Sequence, residues 1–270
     1  MIDFEEKQQY GMADLLRIMA LLRQPQGGCP WDQVQTHESI RQNFIEETYE
    51  AVEAIDLKDA ALLREELGDV LLQVVFHCQI EAEQGHFTFD DVCDEICKKL
   101  VYRHPHVFKG MEAADPAKAL DNWEKMKNTE KSRITAADRL DSVPASLPAL
   151  MRAAKAQKRA SAFGVTPGDK AQVLQALKRK AEGLENQQDA QQAVGDMLLY
   201  AVAAARSLGV EPEEALYKAT DRFCQRVKAC EQQAVQQGLQ LQEVEADRLS
   251  ECWQEGDLSV QSSKGKCFLY

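Results

Sequence analysis

The residues best suited to chemistry lie in one stretch, FIEETYEAVEAIDLKDAALLREELGD, at positions 44–69. Glu46 and Glu50 stand four apart, Glu47 and Glu50 three apart, and Glu66 and Asp69 repeat the three-residue spacing. Residues three or four apart share a helix face, so two consecutive helices would each present a short ladder of acids. Leu57-Lys58-Asp59 reads as the turn between them, with Asp56 or Asp59 available to cap the second helix. Folded back on each other, the helices bring several carboxylates into one small volume. Like charges at that range repel and resist ionisation together unless a cation sits among them. Oxygen-only ligands select hard ions, which points to Mg²⁺, with Mn²⁺ as the substitute. Most acids at helical spacing are simply solvated. Here Leu62, Leu63, Leu67, Val70, Leu71, Val74 and Val75 surround Glu66 and Asp69 in the chain, and this pattern predicts a largely buried second helix. A carboxylate buried without a partner is costly, which favours an ion-binding role for both acids.

EETYE at 46–50 followed by ELGD at 66–69 resembles the EExxE…ExxD signature of the MazG nucleoside triphosphate pyrophosphohydrolases. These belong to an all-α pyrophosphohydrolase superfamily. GCPWDQVQTHESI (28–40), YRHPHVF (102–108), WEKMKNTEK (123–131) and LPALMRAAKAQKRA (147–160) resemble further blocks of that family in the same order. The likeness runs from about Leu15 to Trp253, and the combined blocks are far more specific than EExxE alone. It implies hydrolysis between the α and β phosphates, giving a nucleoside monophosphate and pyrophosphate. By motif position it implies Glu47, Glu50, Glu66 and Asp69 as metal ligands. Glu46, about 100° round the helix from Glu47, is the candidate to orient or deprotonate the water; its alternative is an exposed helical acid. Arg103 and Lys127 lie in matching blocks and are candidates to bind phosphate. Trp31 in GCPWD is the candidate to stack on a base, with plugging the end of the helical core as its alternative. A single lobe has few helices over which to spread its apolar faces, so a homodimer is expected; the resemblance implies the same, since family members pair helices between chains.

The elements that must position these residues are helical throughout. The chain has 270 residues, 44% hydrophobic, 28% charged and 7% aromatic, a balance that favours helix over sheet in a globular protein. The pattern predicts helices over 5–23, from a Thr36 cap to about Asp56, from about Asp59 to near Gly85, from Asp90 or Asp91 to before Pro105, and from Pro116 to about Ser132. Residues 133–147 lack a long periodic pattern and form the expected linker. The second half restates the first: QAVGDMLLYAVAAAR (192–206) aligns with the segment around Glu65–Gln79, so that Gly195-Asp196 falls on Gly68-Asp69. Ala193 takes the place of Glu66, and Gln175, Lys178 and Arg179 stand where acids are expected. One remaining carboxylate is too few to hold a divalent ion, so this half reads as metal-incompetent. The expected architecture is therefore all-α with tandem lobes. An N-terminal lobe over 1–132 has an intact carboxylate motif, and a C-terminal lobe over 148–255 has a degenerate one. A polar tail follows over 256–270, expected to be disordered.

Charge and cysteine usage narrow the partners. A net charge of −12 argues against nucleic acid, whose binding rests on Lys and Arg. A triphosphate substrate must instead arrive with its charge screened by metal. No apolar run approaches the roughly 20 residues that span a bilayer, and no signal peptide is visible. Eight cysteines without regular spacing read as reduced thiols of a cytoplasmic protein. Cys93, Cys97, His104 and His106 fit no standard zinc spacing, and the absence of Glu-x-x-His after the acids disfavours a di-iron bundle. His104 and His106, flanking Pro105, read as surface imidazoles at a helix stop. Gly27-Gly28 lacks the Lys-Ser/Thr of a phosphate loop. A second class of function stays open, that of a catalytically weak nucleotide-binding regulator.

Overall fold

A computed structural model describes residues 4–110, 115–130, 134–184, 188–245 and 249. Among them every regular element is helical, so the protein is all-α. The expected disordered tail, 256–270, lies outside the described residues. The chain divides into two compact units, residues 1–127 and 128–270.

In the first unit the order is α1 (Met12–Arg23), α2 (Pro30–Gln33), α3 (His37–Leu57), α4 (Ala60–Glu83), α5 (Phe89–Arg103), α6 (Pro105–Phe108) and α7 (Pro116–Glu130), whose last turn passes the division. The first helix starts at Met12 and not at residue 5. Gly11 is its N-cap, and the Asp14 carboxylate accepts the Gly11 N–H at 2.9 Å, closing the start there. α3 is capped by Thr36, whose side chain accepts from the Ser39 N–H. It ends in a tight reversal. Lys58 adopts the left-handed conformation (φ 57°, ψ 32°), and the Asp59 N–H returns to the Ala54 carbonyl, which satisfies carbonyls the helix would leave open. Asp59 then caps α4, accepting from Ala61 and Leu62 N–H at 2.9 and 3.1 Å. The two long helices thus form a hairpin with no slack between them. α5 is capped by Thr88 with Asp91 at its third position, so it begins one residue earlier than the two aspartates suggest.

Met19, Ile40, Val75, Phe76 and Ile80 form the core, closed by Leu15, Leu16, Leu71, Leu72 and Phe89. The core therefore joins α1, α3 and the second half of α4. Its edge is fixed by Arg23, buried with its guanidinium donating to both Glu83 oxygens at 2.9 and 2.8 Å and to the Asp32 and Gln35 carbonyls. Burial works to raise Glu83, but the hydrogen bonds from Arg23 and Gln79 hold its carboxyl below the usual range. The same guanidinium lies 5.2 Å from the Phe76 ring centroid. These bonds pin the loop that carries Trp31. Gly28 is required there, because a Cβ would sit 2.4 Å from the Gln24 carbonyl oxygen and 2.5 Å from that of Leu22.

The far end of the hairpin is latched by imidazoles. His37 Nδ1 lies 2.7 Å from His77 Nδ1, and His37 Nε2 lies 2.6 Å from a Glu81 oxygen. The other Glu81 oxygen meets His86 Nδ1 at 2.7 Å. If His37 donates through Nε2 to Glu81, its Nδ1 accepts from His77; protonating both rings sets N–H against N–H. Burial, and then the nearby His37, push His77 below its ordinary value, while hydrogen bonds from His86 and His37 lower Glu81.

The second unit holds α8 (Ala136–Asp141), α9 (Ala149–Ser161), α10 (Lys170–Glu182), α11 (Ala190–Ser207), α12 (Pro212–Gln236) and a short 3₁₀ turn (Leu241–Glu243). α8 occupies the stretch where no long periodic pattern was expected, and it is short enough to escape periodicity. The core of this unit is smaller, built on Val173, Ala203 and Ala204 with Leu177 against them. Cys29, Cys78, Cys93, Cys97 and Cys224 are free thiols. Cys230 is disulfide-bonded, which corrects the expectation of reduced thiols throughout. No single helix among the described residues is long and apolar enough to cross a membrane.

A depressed histidine contributes stability that is fully present above its unfolded value and is lost as pH falls toward its folded one. With His37, Glu81, His86 and the Phe44 ring around it, His77 should make melting temperature fall as pH drops below about 6.5. Melts between pH 8 and 5 on His77→Gln should show a flatter profile than wild type, because the carboxamide still donates to His37 without gaining a proton.

Candidate active site

The α3–α4 hairpin brings acids from both arms together. Glu47, Glu66 and Asp69 each offer one oxygen such that the three lie within 4.8 Å of one another. All three side chains are partly buried, whereas Glu50 and Glu46 are exposed. Burial raises Glu47 above the usual carboxylate value, with the charges of Glu50 and Asp69 and then Glu46 pushing the same way. Burial likewise raises Glu66, reinforced by Glu50, Asp69, Glu65 and Glu47. Glu50 is the first of the neighbouring charges acting on both Glu47 and Glu66. Glu50 is therefore a working neighbour of the trio although it stands outside its tightest spacing.

Two oxygens on one Mg²⁺ lie about 3.0 Å apart when adjacent and about 4.2 Å apart when opposite, given bonds near 2.1 Å. A mutual spacing within 4.8 Å needs only small side-chain rotations to reach that geometry. The donor set is all hard oxygen, and the charges that act most strongly on Glu47 and Glu66 are those of other acids. The residues present thus fit a divalent cation. Cys93, Cys97, His104 and His106 do not join any such group among the described residues.

The helix carrying Glu66 and Asp69 is less covered than the apolar pattern implied. Leu67 is 54% exposed and Asp69 only partly buried, because α4 turns one flank to α3 and α1 and leaves its first turns open. Trp31 is 57% exposed and meets the core only edge-on, 6.5 Å from the Phe76 ring centroid. With more than half its surface open, it does not plug the helical core. Phe76 lies seven residues from Asp69, on the same face of α4 and about 10 Å along it. Arg103 and Lys127 converge on Trp123, at 5.6 and 4.7 Å from its ring. Their pairing through one indole was not evident from the sequence. Glu46 accepts from Gln42 Nε2 at 3.2 Å. His104 Nδ1 bonds the Leu100 carbonyl at 2.7 Å, and His106 Nδ1 is buried without a partner.

In the second unit Lys180 Nζ sits 2.7 Å from Asp196 Oδ2, and the Asp196 carboxylate raises the Lys180 ammonium above its ordinary value. An internal cation stands beside the one acid left of the pattern. Arg179 lines the same small cavity of about 170 Å³, with Gly183, Asp189, Gln192 and Ala193. Lys180 closes the Lys-Arg-Lys run at 178–180, of which the acid pattern of the first half marks only Lys178 and Arg179.

A protein-family profile described as the MazG nucleotide pyrophosphohydrolase domain matches residues 35–108, the segment that carries all five acids. A nucleoside triphosphate pyrophosphohydrolase of Escherichia coli K12 is 40% identical over 249 residues, covering 89% of this chain and 95% of the relative. The chain belongs to the MazG family. The nucleoside triphosphate pyrophosphohydrolase/pyrophosphatase MazG of Thermotoga maritima is 40% identical as well, over 89% of this chain and 93% of its own length. An uncharacterised Bacillus subtilis protein, YabN, is similar across 93% of this chain and 53% of its own length. The MazG profile falls on the unit whose carboxylates are gathered, and the similarity to whole relatives extends across both units.

Removing one charge from a crowded acid trio relieves repulsion but also removes a ligand. In chelator, Glu66→Gln should melt no lower than wild type. Added millimolar Mg²⁺ should raise the wild-type melting temperature, by the equivalent of about 2.7 kcal/mol at a hundredfold excess over Kd. Glu47→Gln, Glu66→Gln and Asp69→Asn should lose that response in differential scanning calorimetry, and Asp196→Asn should keep it.

Proposed function

We infer that this protein hydrolyses nucleoside triphosphates at the α–β phosphoanhydride, releasing nucleoside monophosphate and pyrophosphate, with catalysis in the first unit. The observation that carries the reading is the convergence of Glu47, Glu66 and Asp69 within 4.8 Å, with Glu50 acting on them. The printed names of the E. coli and T. maritima relatives support the same chemistry. Glu47, Glu50, Glu66 and Asp69 hold Mg²⁺, for which Mn²⁺ can substitute. When bound, the ion supplies positive charge against the triphosphate and the developing pyrophosphate.

The chain's own residues divide the remaining work. Glu46, exposed beside the cluster, orients the attacking water and takes its proton as the oxygen closes on the α phosphorus. The bond from that phosphorus to the bridging oxygen then breaks, and pyrophosphate leaves with the electron pair. Trp31 offers an indole face to the base, and Arg103 and Lys127 set positive charge against phosphate oxygens, the former through a planar fork. A helix, then a helical hairpin, then a further helix recurs as α1, α3–α4, α5 and as α9, α10–α11, α12, which supports a tandem duplication. We divide it into lobes at 1–132 and 148–255. The second lobe takes no metal, because Lys180 already neutralises Asp196.

A homodimer completes the first lobe. Ile45, Tyr49, Val52 and Ile55 recur at helical spacing along α3 and are 45–57% exposed, an apolar stripe that a second copy of the same helix pair would cover. Nothing in the reading requires a membrane or a nucleic acid, and a cytoplasmic setting suits a nucleotide substrate.

Pyrophosphate release with Mg²⁺ and a panel of canonical and damaged triphosphates tests the activity. Glu50→Gln should lower turnover at least ~100-fold, about 2.7 kcal/mol of barrier, with Asp196→Asn within twofold of wild type. Absent wild-type turnover would favour the nucleotide-binding regulator instead. Sedimentation should give twice the chain mass for wild type and a monomer for Ile55→Glu at micromolar concentration.

A further inference from the structure

The alignment of Gly68-Asp69 with Gly195-Asp196 places Phe76 on Ala203 and Gln79 on Arg206. In the first unit Phe76 is 3% exposed, its ring met by Trp31 and the Arg23 guanidinium. In the second unit the aligned residue is the smaller, buried Ala203, which lines a cavity. The corresponding loop reads Gly164-Val165-Thr166-Pro167-Gly168, without tryptophan, and nearby Phe163 packs under Arg139 at 4.8 Å. The cavity measures about 440 Å³ and is walled by Val165, Val173, Leu199, Tyr200, Ala203 and Arg206. That volume falls within the roughly 300–1,000 Å³ of small-molecule sites, and the mixture of apolar walls with few polar groups is theirs too.

Arg206 gives the cavity its polarity. Its guanidinium is half-buried and donates to Gln157 Oε1 at 3.2 Å, while Gln157 Nε2 donates to the Leu199 carbonyl at 2.8 Å. The carboxamide is thereby held with its oxygen toward the cation. No carboxylate pairs with Arg206 among the described residues, and burial alone pushes the guanidinium down from its ordinary value. A half-desolvated cation facing only a neutral acceptor favours an anion, and guanidinium matches phosphate in a planar fork. Lys180 Nζ lies 6.0 Å from the Tyr200 ring centroid.

We propose that this cavity is a metal-independent site for a nucleoside monophosphate, its flat base against Leu199 and Tyr200 and its phosphate on Arg206. The choice of nucleotide rests on the preceding reading, in which the first unit releases this class of product; the cavity and its unpaired cation do not. The site would let the second unit sense product.

Calorimetric titration of the full chain in chelator tests the idea with a nucleoside monophosphate panel, the matching nucleosides, orthophosphate and benzoate. At least one monophosphate should bind below millimolar Kd, with its nucleoside, orthophosphate and benzoate each at least tenfold weaker. Ala203→Phe, which restores the aromatic of the first unit, and Arg206→Gln should each weaken binding at least tenfold, and Glu66→Gln should leave it unchanged. Circular dichroism identifies a misfolded Ala203→Phe, in which case Arg206→Gln decides. Absent monophosphate binding, equal binding by orthophosphate or benzoate, or indifference to Arg206→Gln overturns the proposal. Binding without turnover would leave this site standing and end the preceding reading; turnover without binding would do the reverse.

Discussion

Mutual repulsion among the acids of the α3–α4 hairpin is the constraint on which the rest of the first unit depends. Left to themselves, Glu47, Glu66 and Asp69 would move apart; burial first, and then the charges of neighbouring acids, push Glu47 and Glu66 above the usual carboxylate value. The hairpin resists at both ends. At one end the left-handed Lys58 and the capping Asp59 leave no residue to spare. At the other, His37 reaches His77 and Glu81, some eight residues or about 12 Å beyond Asp69 along α4. Between them Ile40, Val75, Phe76 and Ile80 bury their side chains almost completely. Folding energy taken from that core holds like charges together in readiness for an ion.

Much of this was legible in the chain. Thr36, Asp59 and the Leu57-Lys58-Asp59 turn carry their own hydrogen-bonding logic, so the helices that bear the acids could be placed from local residues. The i,i+3 spacing then dictated which acids share a face. Where local signals compete, the reading failed. Apolar periodicity ran back to residue 5, but Gly11 and Asp14 close α1 at Met12. Leu67 looked like core because an apolar residue in a helix reads the same whether its own chain covers it or not. Its exposure depends on how many helices one chain supplies, which no local pattern encodes. Arg23 with Glu83, and the His37–His77–Glu81 latch, join residues 40 to 60 positions apart, and single side chains at that separation leave no periodic trace.

The two units differ at positions that the Gly-Asp alignment of their sequences pairs. In the first, an arginine, a tryptophan and a phenylalanine close the space beside the hairpin and hold the GCPWD loop in place. In the second, Ala203 at the position aligned with the phenylalanine lines a cavity. The carboxylate positions diverge in parallel, with acids gathered in one unit and a lone aspartate beside a lysine in the other.

That lysine entrenches the difference. An acid introduced at Ala193 would find the Lys180 ammonium already in the neighbourhood and would be neutralised by it, not added to an ion cage. Building a centre like that of the first unit would demand removal of the built-in counterion together with several acid gains, and each single step gives nothing that selection can favour. The second unit is thereby left to other uses.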